Sequence, residues 1–250
     1  IQLKTQRMRL IRNTFALLPM VLLMANAPSP LSGNKLTISK IIVDASKAKA
    51  SVAVDCYAEW NLTVAGLSKQ VFDNAVKGYN YLLEKKLLKN TQILTIVDYS
   101  KPSSQKRLFV IDMSNGQVLF NTLVAHGRNS GYDYATDFSN KESSHKTSLG
   151  FFVTQNTYNG GNGYSLKLQG CEKGINDKAL ERAIVVHGAD YVTERFAQNN
   201  GYLGRSHGCP ALPEKISKKI IDIIKNGSCL FLYHPTKKYT AVSKILNSKA

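Results

Sequence analysis

Acidic residues, tryptophan and cysteine are all scarce in this chain. Seventeen Asp and Glu stand against 33 Lys and Arg, which gives a formal charge of +16 over 250 residues. No acidic residue precedes Asp44. A surface this basic attracts polyanions, although lysine also serves simply to keep a protein soluble. The sequence has no Arg-rich helix, no RNA-binding aromatic motif and no zinc-finger spacing, so no nucleic-acid partner is expected. The single Trp beside 12 Tyr, with β-branched residues common, favours sheet over an all-helical bundle. The four cysteines (Cys56, Cys171, Cys209 and Cys229) are too few and too scattered for a dense disulfide framework or a metal motif. No metal or cofactor is therefore expected. An even count would allow two bridges in an oxidising compartment, but only one if Cys209 must stay free.

Long apolar runs are also missing, apart from one near the start. Residues 15–24 are apolar but too short to span a bilayer comfortably. Arg9 and Arg12 precede them and Ala25-Asn26-Ala27 follows, so residues 1–27 read as a secretory signal. Pro28, just past that cleavage pattern, fits it poorly. Export to the periplasm or the cell exterior is expected, with no stable membrane span once the signal is removed.

Residues 28–92 read as a linker with one short strand at 41–43, followed by a helical segment. Val71, Phe72, Ala75, Val76, Tyr79, Leu82 and Leu83 recur at helical spacing over residues 67–88, with Ser68 placed to cap the start. From residue 93 the pattern becomes that of strands, at 93–97, 107–113 and 117–124. The Ser114-Asn115-Gly116 turn between the last two is a hairpin signal. A long polar loop at 127–147 precedes strands at 149–154, 164–168, 183–186 and 230–233, with an amphipathic helix at 214–225. The expected architecture is α+β: mainly β with flanking helices, a catalytic region at 93–236 after a small helical segment, and a tail at 237–250.

Two short motifs carry chemistry. The first is Gly204-Arg205-Ser206-His207-Gly208-Cys209-Pro210, a glycine-flanked turn. A cysteine thiolate is both a strong nucleophile and a good leaving group, but it needs a base or cation nearby. Gly208 lets a bound carbonyl approach the backbone, and amides in such a turn can hold an oxyanion. The second is Ile184-Val185-Val186-His187-Gly188-Ala189, which sets a histidine at the end of an apolar strand, a rigid platform for a general base. Taken singly, each reads more often as a buried structural residue. His126 and His145, which flank the long loop, read as structural or solvent-facing, with His126 also placed to line a cleft.

Together, His187-Gly188 and Ser206-His207-Gly208-Cys209 resemble the L,D-transpeptidase catalytic domain, the YkuD-type β-sandwich fold. The resemblance runs over about 107–233 and includes Thr147-Ser148-Leu149-Gly150-Phe151-Phe152. With Asp98-Tyr99-Ser100 upstream, the wording is similar to the murein L,D-transpeptidase catalytic-domain branch. The resemblance implies Cys209 as nucleophile, His187 as base and the Gly188 carbonyl as the group that orients its ring. It also implies backbone amides at Gly208 and Cys209 as the oxyanion site, and Ser206 and His207 as supports. The expected partners are peptidoglycan stem peptides in an anionic cell wall. The reaction implied is acyl transfer from a stem tetrapeptide with loss of D-Ala, giving 3–3 cross-links or, with water, tripeptides. A cysteine carboxypeptidase or endopeptidase and a non-catalytic wall-binding protein are the alternatives. The sequence departs from the family at Ala211, where Arg or Asn is usual, and Arg205 is the residue placed to supply a substitute cation.

Overall fold

A computed structural model describes residues 56–248. The expected signal at 1–27, the linker at 28–55 with its strand, and the last two residues of the tail lie outside the described residues.

The first long element, α1 (Lys69–Glu84), starts where Ser68 accepts from the Val71 amide at 3.3 Å. Its buried stripe is Val71, Phe72, Ala75, Gly78, Tyr79 and Leu82, as the apolar spacing requires. The strands are β1 (Ile93–Asp98), β2 (Leu108–Asp112), β3 (Val118–Thr122), β4 (Gly150–Gly160), β5 (Gly163–Gly170), β6 (Val185–Ala189), β7 (Ala211–Pro213) and β8 (Cys229–Tyr233). The helices α2 (Glu194–Asn200), α3 (Glu214–Ile224) and α4 (Lys237–Thr240) complete the set. The mainly β architecture with flanking helices is as expected. Its strands form one eight-stranded sheet in the order β3-β2-β1-β8-β4-β5-β6-β7.

Two pairings are parallel, β1 with β8 and β6 with β7; the others are antiparallel. The sheet is nearly closed. Its last strand bridges back to the segment after β3, where the Ala125 amide donates to the Ala211 carbonyl at 2.9 Å. β1 is buried along its whole length, and α1 and α3 both pack on it. Such a strand reads as a continuous apolar run rather than an alternation, as its sequence does.

The structure extends several expected elements. β4 and β5 continue past their apolar parts into a polar hairpin closed at Gly160 and Gly163. The outer half of that hairpin is exposed, so it carries no hydrophobic period to read. α2, β7 and α4 are too short to show a period. The residues expected as a tail after 236 are packed. Tyr239 and Ile245 are buried, and Tyr239 and Ser243 donate their hydroxyls to the buried Glu172 carboxylate. Glu172 also accepts from the Phe151 amide at 2.9 Å, so one carboxylate ties the C-terminal segment to β4. Burial pushes the Glu172 carboxyl above its ordinary range.

Gly78 is where α1 meets the sheet. A Cβ there would lie 2.0–2.6 Å from the ring of Phe151, and that ring is held 4.0 Å from Phe231 in a stack. Alanine gains about 0.5–1 kcal/mol over glycine within a helix, but overpacking a core costs about 1–3 kcal/mol. Gly78→Ala is therefore expected to destabilise the fold by about 1 kcal/mol or more in denaturant unfolding. A gain in stability would show that the helix slides freely over Phe151.

Candidate active site

The site is assembled at the seam of the sheet. β6 and β7 run parallel with His187 opposite Ala211, so Cys209, two residues earlier, falls beside Val185. The Val185 amide points at Cys209 Sγ (3.5 Å), and the thiol donates to the Ala183 carbonyl (3.8 Å). Gly188 faces the other way: a Cβ there would meet Ser217 Oγ of α3 at 2.5 Å. Because strand residues alternate faces, Val185 and His187 point away from α3, towards the side of Cys209. Cys209 thus lies in the turn just before β7, the neighbour of β6, two residues short of the partner of His187, or ~7 Å along at the usual strand rise.

The His187 ring is oriented. Its Nδ1 lies 2.9 Å from the Gly188 carbonyl, which requires a proton on Nδ1 and leaves Nε2 as the basic nitrogen. Among the described residues Nε2 has no hydrogen-bond partner and is not wholly sealed, although His187 itself is only 5% exposed. Burial lowers the His187 pKa, against the raising effect of the Gly188 bond. The Cys209 thiol is pushed up by burial, with the Val185 amide and the Arg182 guanidinium pulling it down. At rest the pair is therefore neutral imidazole and thiol, with no hydrogen bond between them.

The turn that presents Cys209 is fastened by Ser206. Its hydroxyl donates to the Cys209 carbonyl (2.6 Å) and accepts from the Gly208 amide (3.1 Å). The Ser206 amide donates to the His126 carbonyl (3.0 Å), and the Arg128 amide donates to the Ser206 carbonyl (2.8 Å). Gly208 sits at φ +122, and a Cβ there would come within 2.8 Å of the Lys146 carbonyl, so no other residue fits. Since the Gly208 amide already serves Ser206, the turn's free donors among the described residues are the amides of His207 and Cys209. His207 is exposed and its ring stacks on His145, with centroids 4.3 Å apart.

Arg205 does not stand beside the sulfur. Its guanidinium lies over the rings of Tyr132 (4.4 Å) and Tyr202 (5.1 Å), and Nη1 donates to the Gly131 carbonyl. The cation that Cys209 feels is Arg182, which carried no motif and went unnoticed in the sequence. A second unannounced feature lies under the turn. Arg107 is fully buried and donates to the carbonyls of Val124 and Lys101 and to His126 Nδ1 (2.8 Å). It also lies 4.9 Å over the Tyr99 ring. His126 is thus a buried structural histidine, with Nε2 directed to the Gly131 carbonyl. Tyr99 of the Asp98-Tyr99-Ser100 motif belongs to this layer, with its ring edge-on to His126 at 6.2 Å. Among the described residues no His, Cys, Asp or Glu cluster could hold a metal, Cys171, Cys209 and Cys229 are free thiols, and no helix is long and apolar enough to cross a membrane.

A family model described as the L,D-transpeptidase catalytic domain matches residues 63–233, more than half of the chain, and takes in α1. No curated protein matches. Solved structures similar to it include an L,D-transpeptidase from Mycobacterium smegmatis (15% identity, 57% of this chain and 59% of that one, TM-score 0.36). An L,D-transpeptidase from Mycobacterium tuberculosis gives 13% identity over 57% and 58%, TM-score 0.36. The helical cell shape determining protein Pgp2 from Campylobacter jejuni gives 15% over 66% and 57%, TM-score 0.37. This chain thus spans less than two thirds of the length of each of these three.

Burial drives the His126 pKa down to about 3, and the Arg107 charge presses the same way. The His187 pKa lies below the ordinary 6.5. In an NMR titration the His126 ring should stay neutral throughout the folded range, and His187 should titrate below pH 6.5. A His187 midpoint above 6.5 would mean that the thiol and imidazole rest as an ion pair instead.

Proposed function

Because the chain belongs to the L,D-transpeptidase catalytic-domain family, we propose that it is a cysteine acyltransferase of peptidoglycan, with Cys209 as nucleophile and His187 as base. One observation carries this reading: the His187 ring is held at the Gly188 carbonyl with Nε2 left unpartnered among the described residues, on the same face as Cys209. Neither a buried packing cysteine nor a satisfied core histidine requires that arrangement.

The proposed cycle begins when Cys209 turns from the Ala183 carbonyl towards the His187 row and gives its proton to Nε2. The thiolate attacks the carbonyl between the third residue of a stem tetrapeptide and its terminal D-Ala. The amides of Cys209 and His207 receive the oxyanion. Collapse breaks the C–N bond, the imidazolium protonates the leaving amine, and D-Ala departs from a thioester. A side-chain amine of a second stem then attacks the thioester and loses its proton to His187. The sulfur leaves, and a 3–3 cross-link results. Water in place of the amine gives a tripeptide. Ser206 and Gly208 hold the turn in shape throughout, and Cys–His acyl transfer needs no metal or cofactor. The excess of basic residues suits an anionic wall outside the cytoplasm.

The test is mass spectrometry of the full chain after incubation with a stem tetrapeptide. We expect an adduct on Cys209 that disappears faster when a diamino-acid peptide is added, with a 3–3 dimer as product. Loss of the adduct to water alone would identify a carboxypeptidase, and cut cross-bridges an endopeptidase. Cys209→Ala should lose turnover by at least ~10³-fold while melting as the parent does. Full activity in that variant would end the proposal. The acid limb of kcat/KM should fall below pH 6.5, because a His187 pKa lowered by burial keeps the base unprotonated further into acid.

A further inference from the structure

Arg182 sits just before β6 and is half-buried. Nη1 donates to the Ser139 carbonyl (2.8 Å) and Ser148 Oγ (2.5 Å); Nη2 donates to Ser144 Oγ (3.2 Å) and the Lys146 carbonyl (2.7 Å). All four acceptors belong to one stretch, residues 139–148, which walls the cysteine turn. On its other side the same Nη2 lies 3.5 Å from the position a Gly208 Cβ would take. The residue after it, Ala183, holds φ +52, a left-handed conformation unusual for alanine, and its carbonyl is the one that receives the Cys209 thiol. The backbone is thus bent at the point that brings the guanidinium to the Gly208–Cys209 turn and the thiol's acceptor to the sulfur.

Its acceptors are neutral, and among the described residues no carboxylate pairs with Arg182. Lys146, its neighbour in the wall, is paired with Asp137. The other titratable groups that face Cys209 are Tyr99 and Tyr191, both with pKa values raised by burial, and neutral His187 in the next row. A clamp on four neutral oxygens needs donors but no net charge. A guanidinium used there keeps a fixed positive charge with nothing to neutralise it until the sulfur ionises.

We infer that Arg182 is a positioning residue for Cys209: it fastens the 139–148 wall against the Gly208–Cys209 turn and sets an unpaired cation beside the sulfur that becomes a thiolate. This rests on Cys209 being the nucleophile. In the attack step the cation favours the thiolate; in the collapse that releases product it favours sulfur as the leaving group. It takes no proton and forms no bond to substrate.

The test reads Cys209 without any peptide substrate, so an absence of acyl transfer would not affect it. The full chain is treated with iodoacetamide across a pH series, and carboxamidomethylation of Cys209 is followed by peptide mass spectrometry, which separates it from the other three cysteines. Arg182→Gln should move the reaction midpoint to higher pH and slow labelling at neutral pH about threefold or more, since one pKa unit corresponds to tenfold. Arg182→Lys retains the charge on a flexible stem but loses the fork, and should fall between Arg182→Gln and the parent. Circular dichroism melting shows which variants are folded. A folded variant of either kind with the parent's midpoint overturns the inference. If only Arg182→Lys folds, its midpoint alone decides. Faster labelling in a folded variant also overturns it, since Arg182 would then act only as a lid over the sulfur.

Discussion

The seam between the first and last strands of the sheet is the constraint on which the site depends. A curled sheet must either leave two edges open or join them, and here they join through two bridges, Ala125 with Ala211 and Gly127 with Ser206. Cys209 lies between Ser206 and Ala211, so its turn is fixed at both ends by the closure itself. Ser206 then locks the turn internally, giving its proton to the Cys209 carbonyl and taking one from the Gly208 amide. A nucleophile mounted on an ordinary loop would move with that loop. The proposed nucleophile is held by the same bridges that nearly close the sheet.

The layer beneath the seam shows what that rigidity costs. Arg107 is fully buried without an ion pair, a state that is expensive unless every donor is satisfied. It is satisfied by the Val124 and Lys101 carbonyls and by His126, and burial lowers its pKa to about 10, which still leaves it charged at neutral pH. His126 in turn stays neutral and passes its own carbonyl to the Ser206 amide. A chain of hydrogen bonds therefore runs from a buried cation to the cysteine turn. An apolar layer would pack as well but would leave the Val124 and Lys101 carbonyls without these donors.

The proposed nucleophile and base could be picked out in the sequence because both lie in short motifs whose chemistry is local: a Gly-Cys turn, and a His-Gly at the end of an apolar strand. The sequence announced α1 and the central strands because burial on one stripe or on both faces leaves a period or a run. It was silent on Arg182, Arg107 and the seam. Arg182 acts through acceptors 34 to 43 residues away in the chain, and Arg107 reaches His126 19 residues on, distances at which no pattern survives in a single sequence. Arg205, inside the motif, looked like the cation for the opposite reason. Closeness in sequence placed it near Cys209, but the two tyrosine rings draw its guanidinium away.

The electrostatics of the pair lead to a last step. Burial acts on both groups in the direction of neutrality, raising the thiol and lowering the imidazole. An ion pair waiting in an open groove would be more reactive towards any electrophile or oxidant, since the thiolate is the species that reacts. A neutral pair with Cys209 only 7% exposed is protected until something changes its surroundings. A carbonyl seated over the turn does so. It offers the free amides of His207 and Cys209 a negative oxygen to bind, and that gain offsets the cost of separating charge in a dry site. On the proposed mechanism, reactivity is thus tied to a carbonyl bound at the turn, and the burial that slows the resting thiol also makes it selective.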